Sequence, residues 1–217
     1  LKPGGELPVE HGEEERMGEA AKKFLKDYAD VFSADLKGGR RMQNCELQIY
    51  LKDENPRNPI KVSHAFDTPL MLQESSFQLV DDLVRDKIIE RVEEPSLYCS
   101  PSHFVPKKDG RTARLVTDYS GAKGLNANVQ RSEHGFLSPN QIQEKIKPTS
   151  RWFAVFDLTW GYFQLLLSRA ASKLTTFMVM TRQGPMRFRY LRAPLGLLCS
   201  GAGLCAATDS ALGGQQG

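Results

Sequence analysis

Hydrophobic positions fall into runs whose spacing changes along the chain. From residue 13 to 32, Met17, Ala21, Phe24, Leu25, Tyr28, Val31 and Phe32 recur at helical spacing behind a glutamate-rich start, where the helix dipole favours acids. This predicts an amphipathic helix with a core-facing stripe. After the polar break Lys37-Gly-Gly-Arg-Arg41 the period drops to two. Cys45, Leu47, Ile49 and Leu51 alternate with polar residues, and Asp53-Glu-Asn-Pro-Arg-Asn58 separates them from Ile60-Lys-Val62. The alternation predicts a half-buried strand, joined to the second run as a hairpin or lying beside it as two edge strands. Pro69 then opens a second helical stripe of Phe77, Val80, Leu83, Val84 and Ile88.

Two hairpins follow from the same reasoning. Between Ser100 and Tyr119, two short β-prone runs flank an Asp109-Gly110 turn with Lys107, Lys108 and Arg111 near the tip. Ser138-Pro139 pairs an N-cap with a proline at the first helical position, so a short helix is expected over 138–147, ahead of the apolar run Trp152-Phe-Ala-Val-Phe156. Further on, Leu174-Thr-Thr-Phe-Met-Val-Met180 and Met186-Arg-Phe-Arg-Tyr190 flank a turn at Arg182-Gln-Gly-Pro185. Arg187 and Arg189 alternate with Phe188 and Tyr190, which predicts one cationic face. From Cys199 onward the chain is rich in Gly, Ala and Ser, with Asp209 its only charge, and such an end is expected to be poorly ordered.

Composition bounds the class. A chain of 217 residues that is 40% hydrophobic can bury a real core, enough for one domain or somewhat more. No apolar stretch approaches the roughly 20 residues that cross a bilayer, and Leu1-Lys-Pro-Gly-Gly-Glu6 is not a signal peptide, so no membrane role is expected. A start without Met reads as a piece of something longer. The net charge of +3 conceals an asymmetry: 14 Lys and Arg stand against 20 Asp and Glu up to Ser100, and 15 against 6 after it. A basic second half points to a polyanionic partner as readily as to a chance surface imbalance. The four cysteines form no CxxC pair and the four histidines are scattered, which argues against zinc and disulfide frameworks and fits a reducing, intracellular setting.

The chemistry centres on Asp157. An apolar run delivers this carboxylate at its end, and Gly161 and the aromatic Tyr162 follow within five positions, which places an acid for metal chemistry. A two-metal phosphoryl-transfer site needs carboxylates from more than one segment to hold cations about 3.5 to 4 Å apart. Beyond Leu158, Asp209 is the only other acid.

Taken in order, Ser100-Pro101, Val105-Pro-Lys-Lys-Asp-Gly110, Arg114-Leu-Val-Thr-Asp-Tyr119, Leu125-Asn126, Phe156-Asp-Leu158, Gly161-Tyr-Phe-Gln164, Lys173-Leu-Thr-Thr-Phe177 and Pro194-Leu-Gly-Leu197 form a collinear set. Over roughly residues 70 to 205 it resembles the reverse transcriptase of gypsy-like LTR retrotransposons and retroviruses. The resemblance implies an α+β right-hand polymerase with fingers and an incomplete palm, an antiparallel sheet with packed helices. Residues 1–66 would connect protease to polymerase, 67–149 would be fingers, and 150–217 a partial palm with the poorly ordered tail. Asp157 matches the first catalytic aspartate, which binds both Mg²⁺ ions. Lys107 and Arg114 match the fingers cations that grip nucleotide phosphates, a role suited to a movable ammonium and a bidentate guanidinium. Tyr162 matches the ring that excludes a 2′ hydroxyl, a role the sequence does not separate from core packing. Arg187, Arg189 and Lys173 fit contacts with the phosphate backbone. The implied partners are an RNA or DNA template-primer, dNTPs and other segments of the parent polyprotein, in the cytoplasm, a virus-like particle or the nucleus.

The sequence also departs from the family's pattern. No Tyr-X-Asp-Asp follows Pro194-Leu-Gly-Leu197; the usual Asp-Tyr-Arg-X-Leu-Asn is lengthened to Asp118-Tyr-Ser-Gly-Ala-Lys-Gly-Leu-Asn126; Leu195 stands where an aromatic is usual; and Ser200-Gly-Ala-Gly-Leu-Cys-Ala-Ala207 replaces an Asn-Ala-Pro segment. A truncated, degenerate copy accounts for all four. It is expected to be inactive alone, with a non-enzymatic nucleic-acid-binding remnant as the alternative.

Overall fold

The computed structural model describes residues 13–28, 41–42, 45–132, 137–147 and 157–213. The chain divides into two compact units, 1–36 and 37–217. In the first, helix α1 (Glu13–Asp27) forms where the spacing predicts it. Two residues of its stripe, Phe24 and Tyr28, are about half exposed and lie against each other with ring centroids 4.8 Å apart.

The second unit is built on a five-stranded sheet in the order β2 (Ile89–Arg91), β7 (Gly184–Tyr190), β6 (Phe177–Thr181), β3 (Ser100–Pro106) and β4 (Ala113–Thr117). All its pairings are antiparallel except β3 with β6. Both expected hairpins are present. β3 and β4 pair from Ser102 with Thr117 to Pro106 with Ala113, and β6 and β7 pair from Phe177 with Phe188 to Thr181 with Gly184. Alternation sorts their side chains: Phe104, Phe177, Val179, Phe188 and Tyr190 are buried, each contributing about 2 kcal/mol of apolar burial. Among the hydroxyls that go in with them, Ser102 Oγ donates to Thr117 Oγ1 at 2.9 Å and Tyr190 Oη lies 3.2 Å from that same oxygen.

Helix α2 (Gln73–Arg85) buries Val80 and Leu83 against the sheet, as its stripe predicts, and leaves Val84 exposed. Its outer side holds the β6–β7 tip: Arg182 donates to both carboxylate oxygens of Glu74, at 2.6 and 2.8 Å, with its guanidinium 5.6 Å from the Phe77 ring centroid. After the single turn α3 (Leu125–Asn128), the expected helix near residue 140 is α4 (Pro139–Lys145), opened by a full capping box between Ser138 and Gln141.

Of the two arrangements left open for residues 45–62, a hairpin or two edge strands, the structure has the edge strands. β1 (Glu46–Leu47) pairs in parallel with β5 (Leu166–Leu167), Leu51 bridges Val129, and Lys61 bridges Cys99, so the two runs are separate edges of a second core around Tyr98, Tyr119, Leu125 and Leu197. The expectation of a poorly ordered tail is corrected over residues 200–213, which form the helix α6 (Ser200–Gly213). Small residues allow it: a Cβ on Gly203 would fall 2.7 Å from Leu47 Cδ1, so the helix approaches that leucine as closely as only glycine permits, and Ala207 is buried. Ser200 anchors its start by donating its hydroxyl to the Pro194 carbonyl at 2.8 Å. Among the described residues, no helix is long and apolar enough to cross a membrane.

Candidate functional site

Asp157 is exposed at the head of a turn whose geometry is tightly defined; the apolar run before it, 151–156, lies outside the described residues. Gly161 N–H donates to the Leu158 carbonyl at 3.0 Å, closing the turn and occupying part of an oxygen that could otherwise serve a metal. A 3₁₀ turn, Gly161–Gln164, continues it, and Gln164 Nε2 donates back across it to the Thr159 carbonyl at 2.8 Å. Trp160 takes a left-handed conformation at φ 54°, which costs a non-glycine residue about 1 kcal/mol. Stacking offsets that cost. The Trp160 ring stacks on Phe163 at 5.5 Å, Phe163 on Tyr190 at 6.3 Å, and Tyr190 meets Phe177 at 4.8 Å, so an aromatic row ties the Asp157 turn to the centre of the sheet. Tyr162 sits half-buried on this same turn, so Asp157 and Tyr162 are positioned by one local element.

The β3–β4 hairpin gathers the cations. Arg114 lies opposite Val105, and Lys107, two positions beyond Val105, donates its backbone N–H to the Thr112 carbonyl at 2.8 Å. Both side chains therefore stand on the outer face, as diagonal neighbours. Among the described residues neither has a carboxylate within ion-pair distance. The tip is fixed by Asp109, whose Oδ1 accepts the Arg111 and Thr112 amides at 2.9 Å each and whose Oδ2 accepts the Thr112 hydroxyl at 2.5 Å. These bonds, led by the Thr112 hydroxyl, bring the Asp109 pKa down to about 2. A lowered folded-state pKa means that the tip's order is present above the ordinary aspartate range and is lost as pH falls through the high threes towards about 2. Amide exchange at Arg111 and Thr112 is therefore expected to accelerate over that interval, and Asp109→Asn to accelerate it at neutral pH.

The remaining basic residues are otherwise engaged. Arg189, 18% exposed, donates Nε to Glu90 at 2.5 Å, with Glu94 3.9 Å away. Arg187 donates to the Glu94 carbonyl at 3.4 Å. The expected cationic face of β7 is thus largely covered by acids of β2 and the residues after it. Arg192 is buried and donates Nη1 to the Phe163 carbonyl at 3.2 Å; burial first, and Arg41 second, push its pKa down. Lys173 is exposed at the end of α5 (Arg169–Leu174), where its carbonyl accepts the Ser96 hydroxyl at 2.7 Å.

Asn126 is a residue whose part the sequence left unexplained. Its Nδ2 donates to the Gly196 carbonyl and its Oδ1 accepts the Leu198 amide, both at 2.8 Å, so a single amide clamps the 194–198 loop. This explains why Leu125-Asn126 and Pro194-Leu-Gly-Leu197 occur together. The lengthened segment before it is extruded without displacing the clamp, because Asn126 N–H still reaches the Tyr119 carbonyl at 3.0 Å.

The donor set does not fit a metal site by itself. Among the described residues, no three His, Cys, Asp or Glu side chains come together as metal ligands. Asp157 is one carboxylate where a two-ion centre needs several.

The curled, mostly antiparallel sheet with its packed helices is that of a reverse-transcriptase-like domain. The prototype foamy virus protease-reverse transcriptase superposes on 96% of this chain with a TM-score of 0.69 and 21% identity, and a foamy viral protease-reverse transcriptase in complex with double-stranded DNA on 91% with a TM-score of 0.59 and 20% identity. In sequence the chain is 27% identical over 175 residues to the enzymatic polyprotein of Cestrum yellow leaf curling virus, an alignment that takes in 79% of the chain. It spans 26% of that polyprotein and 25% and 33% of the two solved chains. No protein-family model matches it.

Proposed function

We propose that the chain is part of a gypsy-like retroelement reverse transcriptase, contributing fingers (67–149) and part of a palm (150–217) to an RNA-directed DNA polymerase. Residues 1–66 join it to a preceding protease in this reading. The observation that carries the proposal is the placing of Lys107 and Arg114 side by side on one outer face of the β3–β4 hairpin, neither in an ion pair among the described residues, in a fold shared with polymerases. Two adjacent unpaired cations on a rigid hairpin suit the β and γ phosphates of a dNTP or a nucleic-acid backbone. Tyr162, on the Asp157 turn, would lie under the sugar. Asp157 would be one magnesium ligand, the others coming from elsewhere in the parent polyprotein. A second reading, a nucleic-acid-binding remnant without chemistry, is favoured by the lack of a carboxylate cluster among the described residues.

The 217-residue chain is expected to bind a labelled RNA–DNA template-primer in a salt-sensitive way and to incorporate no dNTP with Mg²⁺ present. Incorporation that disappears in Asp157→Asn would show that this chain assembles a full metal site. Absence of binding at low salt would remove the nucleic-acid reading altogether.

A further inference from the structure

The Ser138-Pro139 pair that opens α4 has no part in the site above. It belongs to a set of three hydroxyl residues followed directly by proline, with Thr68-Pro69 and Ser100-Pro101. The fold treats them differently. Thr68 is buried ahead of α2, and Ser100 is buried in β3, where it lies opposite Phe177 and donates its N–H to the Thr176 carbonyl at 2.8 Å. Ser138 is exposed, and so is every residue of α4. We propose that Ser138 is a phosphorylation site, the acceptor hydroxyl for a proline-directed protein kinase.

A kinase cleft takes its substrate as an extended segment, and a proline after the acceptor both favours that shape and removes an N–H. Ser138 is already extended, at φ −66° and ψ 157°. Its Oγ accepts the Gln141 amide at a long 3.3 Å, a bond that leaves the hydroxyl proton to be taken by a base. The helix behind it is seven residues long and buries no side chain, so drawing it into a cleft uncovers no core. Thr68 and Ser100 lack this freedom, because reaching them means undoing the entry to α2 or the centre of the sheet. In the transfer, the kinase's catalytic carboxylate takes the Ser138 proton, Oγ bonds to the γ-phosphorus of Mg-ATP, and ADP leaves with the electrons of the broken anhydride bond. The product adds about two negative charges. It does so in the half of the chain where 15 Lys and Arg stand against 6 Asp and Glu, which lowers affinity for a polyanion.

The site stands on the fold alone; its effect on affinity rests on the nucleic-acid reading proposed above. Incubation of the 217-residue chain with a mitogen-activated protein kinase and Mg-ATP, followed by peptide mass spectrometry, is expected to find phosphate on Ser138 and none on Thr68 or Ser100. Ser138→Thr is expected to keep the phosphate, Pro139→Ala to lose it, and Ser138→Asn to lose it while keeping the helix cap, so that loss of the acceptor is read apart from loss of the helix. No phosphate on Ser138, or as much on Thr68 or Ser100, would overturn the site, and labelling undiminished in Pro139→Ala would overturn its recognition through proline. The phosphorylated and unmodified chains are then titrated with the labelled template-primer. Equal affinity would overturn the electrostatic effect, whereas binding in neither form would overturn the nucleic-acid reading and leave Ser138 as the acceptor.

Discussion

Gly124→Ala is expected to destabilise the second unit by about 3 kcal/mol, near the upper end for a point substitution. The backbone at Gly124 is extended, φ −72° and ψ 160°, a conformation that alanine accepts. Space is the obstacle. A Cβ there would lie 1.9 Å from the Ser120 carbonyl oxygen and 2.4 Å from that of Tyr119, and these are backbone atoms that cannot rotate away. Making room requires the loop from Tyr119 to Gly124 to open, which breaks the 3.0 Å bond from Asn126 N–H to the Tyr119 carbonyl. The flanking anchors resist, because Tyr119 and Leu125 are essentially fully buried. Asn126 would move with the loop and release Gly196 and Leu198. Gly121→Ala is the control: it meets nothing within 4 Å and carries only the cost of its positive φ of 82°, about 1 kcal/mol. Denaturant unfolding followed by circular dichroism measures both. Equal costs would mean that the close approach at Gly124 does not set the loop.

Local structure was legible in the sequence wherever neighbours in the chain are also neighbours in space. The β3–β4 and β6–β7 hairpins, the Ser138 cap and the stripe of α2 each follow from period and turn chemistry within about 20 residues. Pairing across long separations was not. Nothing near Glu46 and Leu47 identifies Leu166 and Leu167 as their parallel partners, so the run from Cys45 to Leu51 read equally well as a hairpin arm. The tail misled for a related reason: glycine and alanine promise disorder in an isolated chain, and only the presence of Leu47 across from Gly203 turns their smallness into close packing. At the candidate site, Asp157 and Tyr162 share one turn and Lys107 and Arg114 one hairpin, so the nearness of each pair was legible from the chain alone. The alternation in β7 correctly put Arg187 and Arg189 on one face. That Glu90 stands directly opposite Arg189 depends on β2 lying next to β7, which is a property of the sheet order.

That distinction gives the second large expected effect. Removing Lys107 and Arg114 together is expected to lower the slope of log affinity against log salt by about two for template-primer binding, since each phosphate contact releases close to one counterion. Affinity at low salt should fall while the unfolding midpoint holds, because both side chains are exposed and unpaired among the described residues. Arg189→Ala is expected to do the reverse. Its guanidinium is only 18% exposed and its Nε is bonded to Glu90 at 2.5 Å, so it releases no counterion that a phosphate could displace without breaking an existing pair. Its loss strips a charged hydrogen bond from the β2–β7 register and should cost about 2 kcal/mol of stability, with the salt slope unchanged. The two variants measured side by side, binding by salt titration and stability by denaturant, test whether charge or pairing identifies a phosphate ligand here. A salt slope that falls in Arg189→Ala as much as in the double variant would put the nucleic acid on the β7 face and require Glu90 to give way to it.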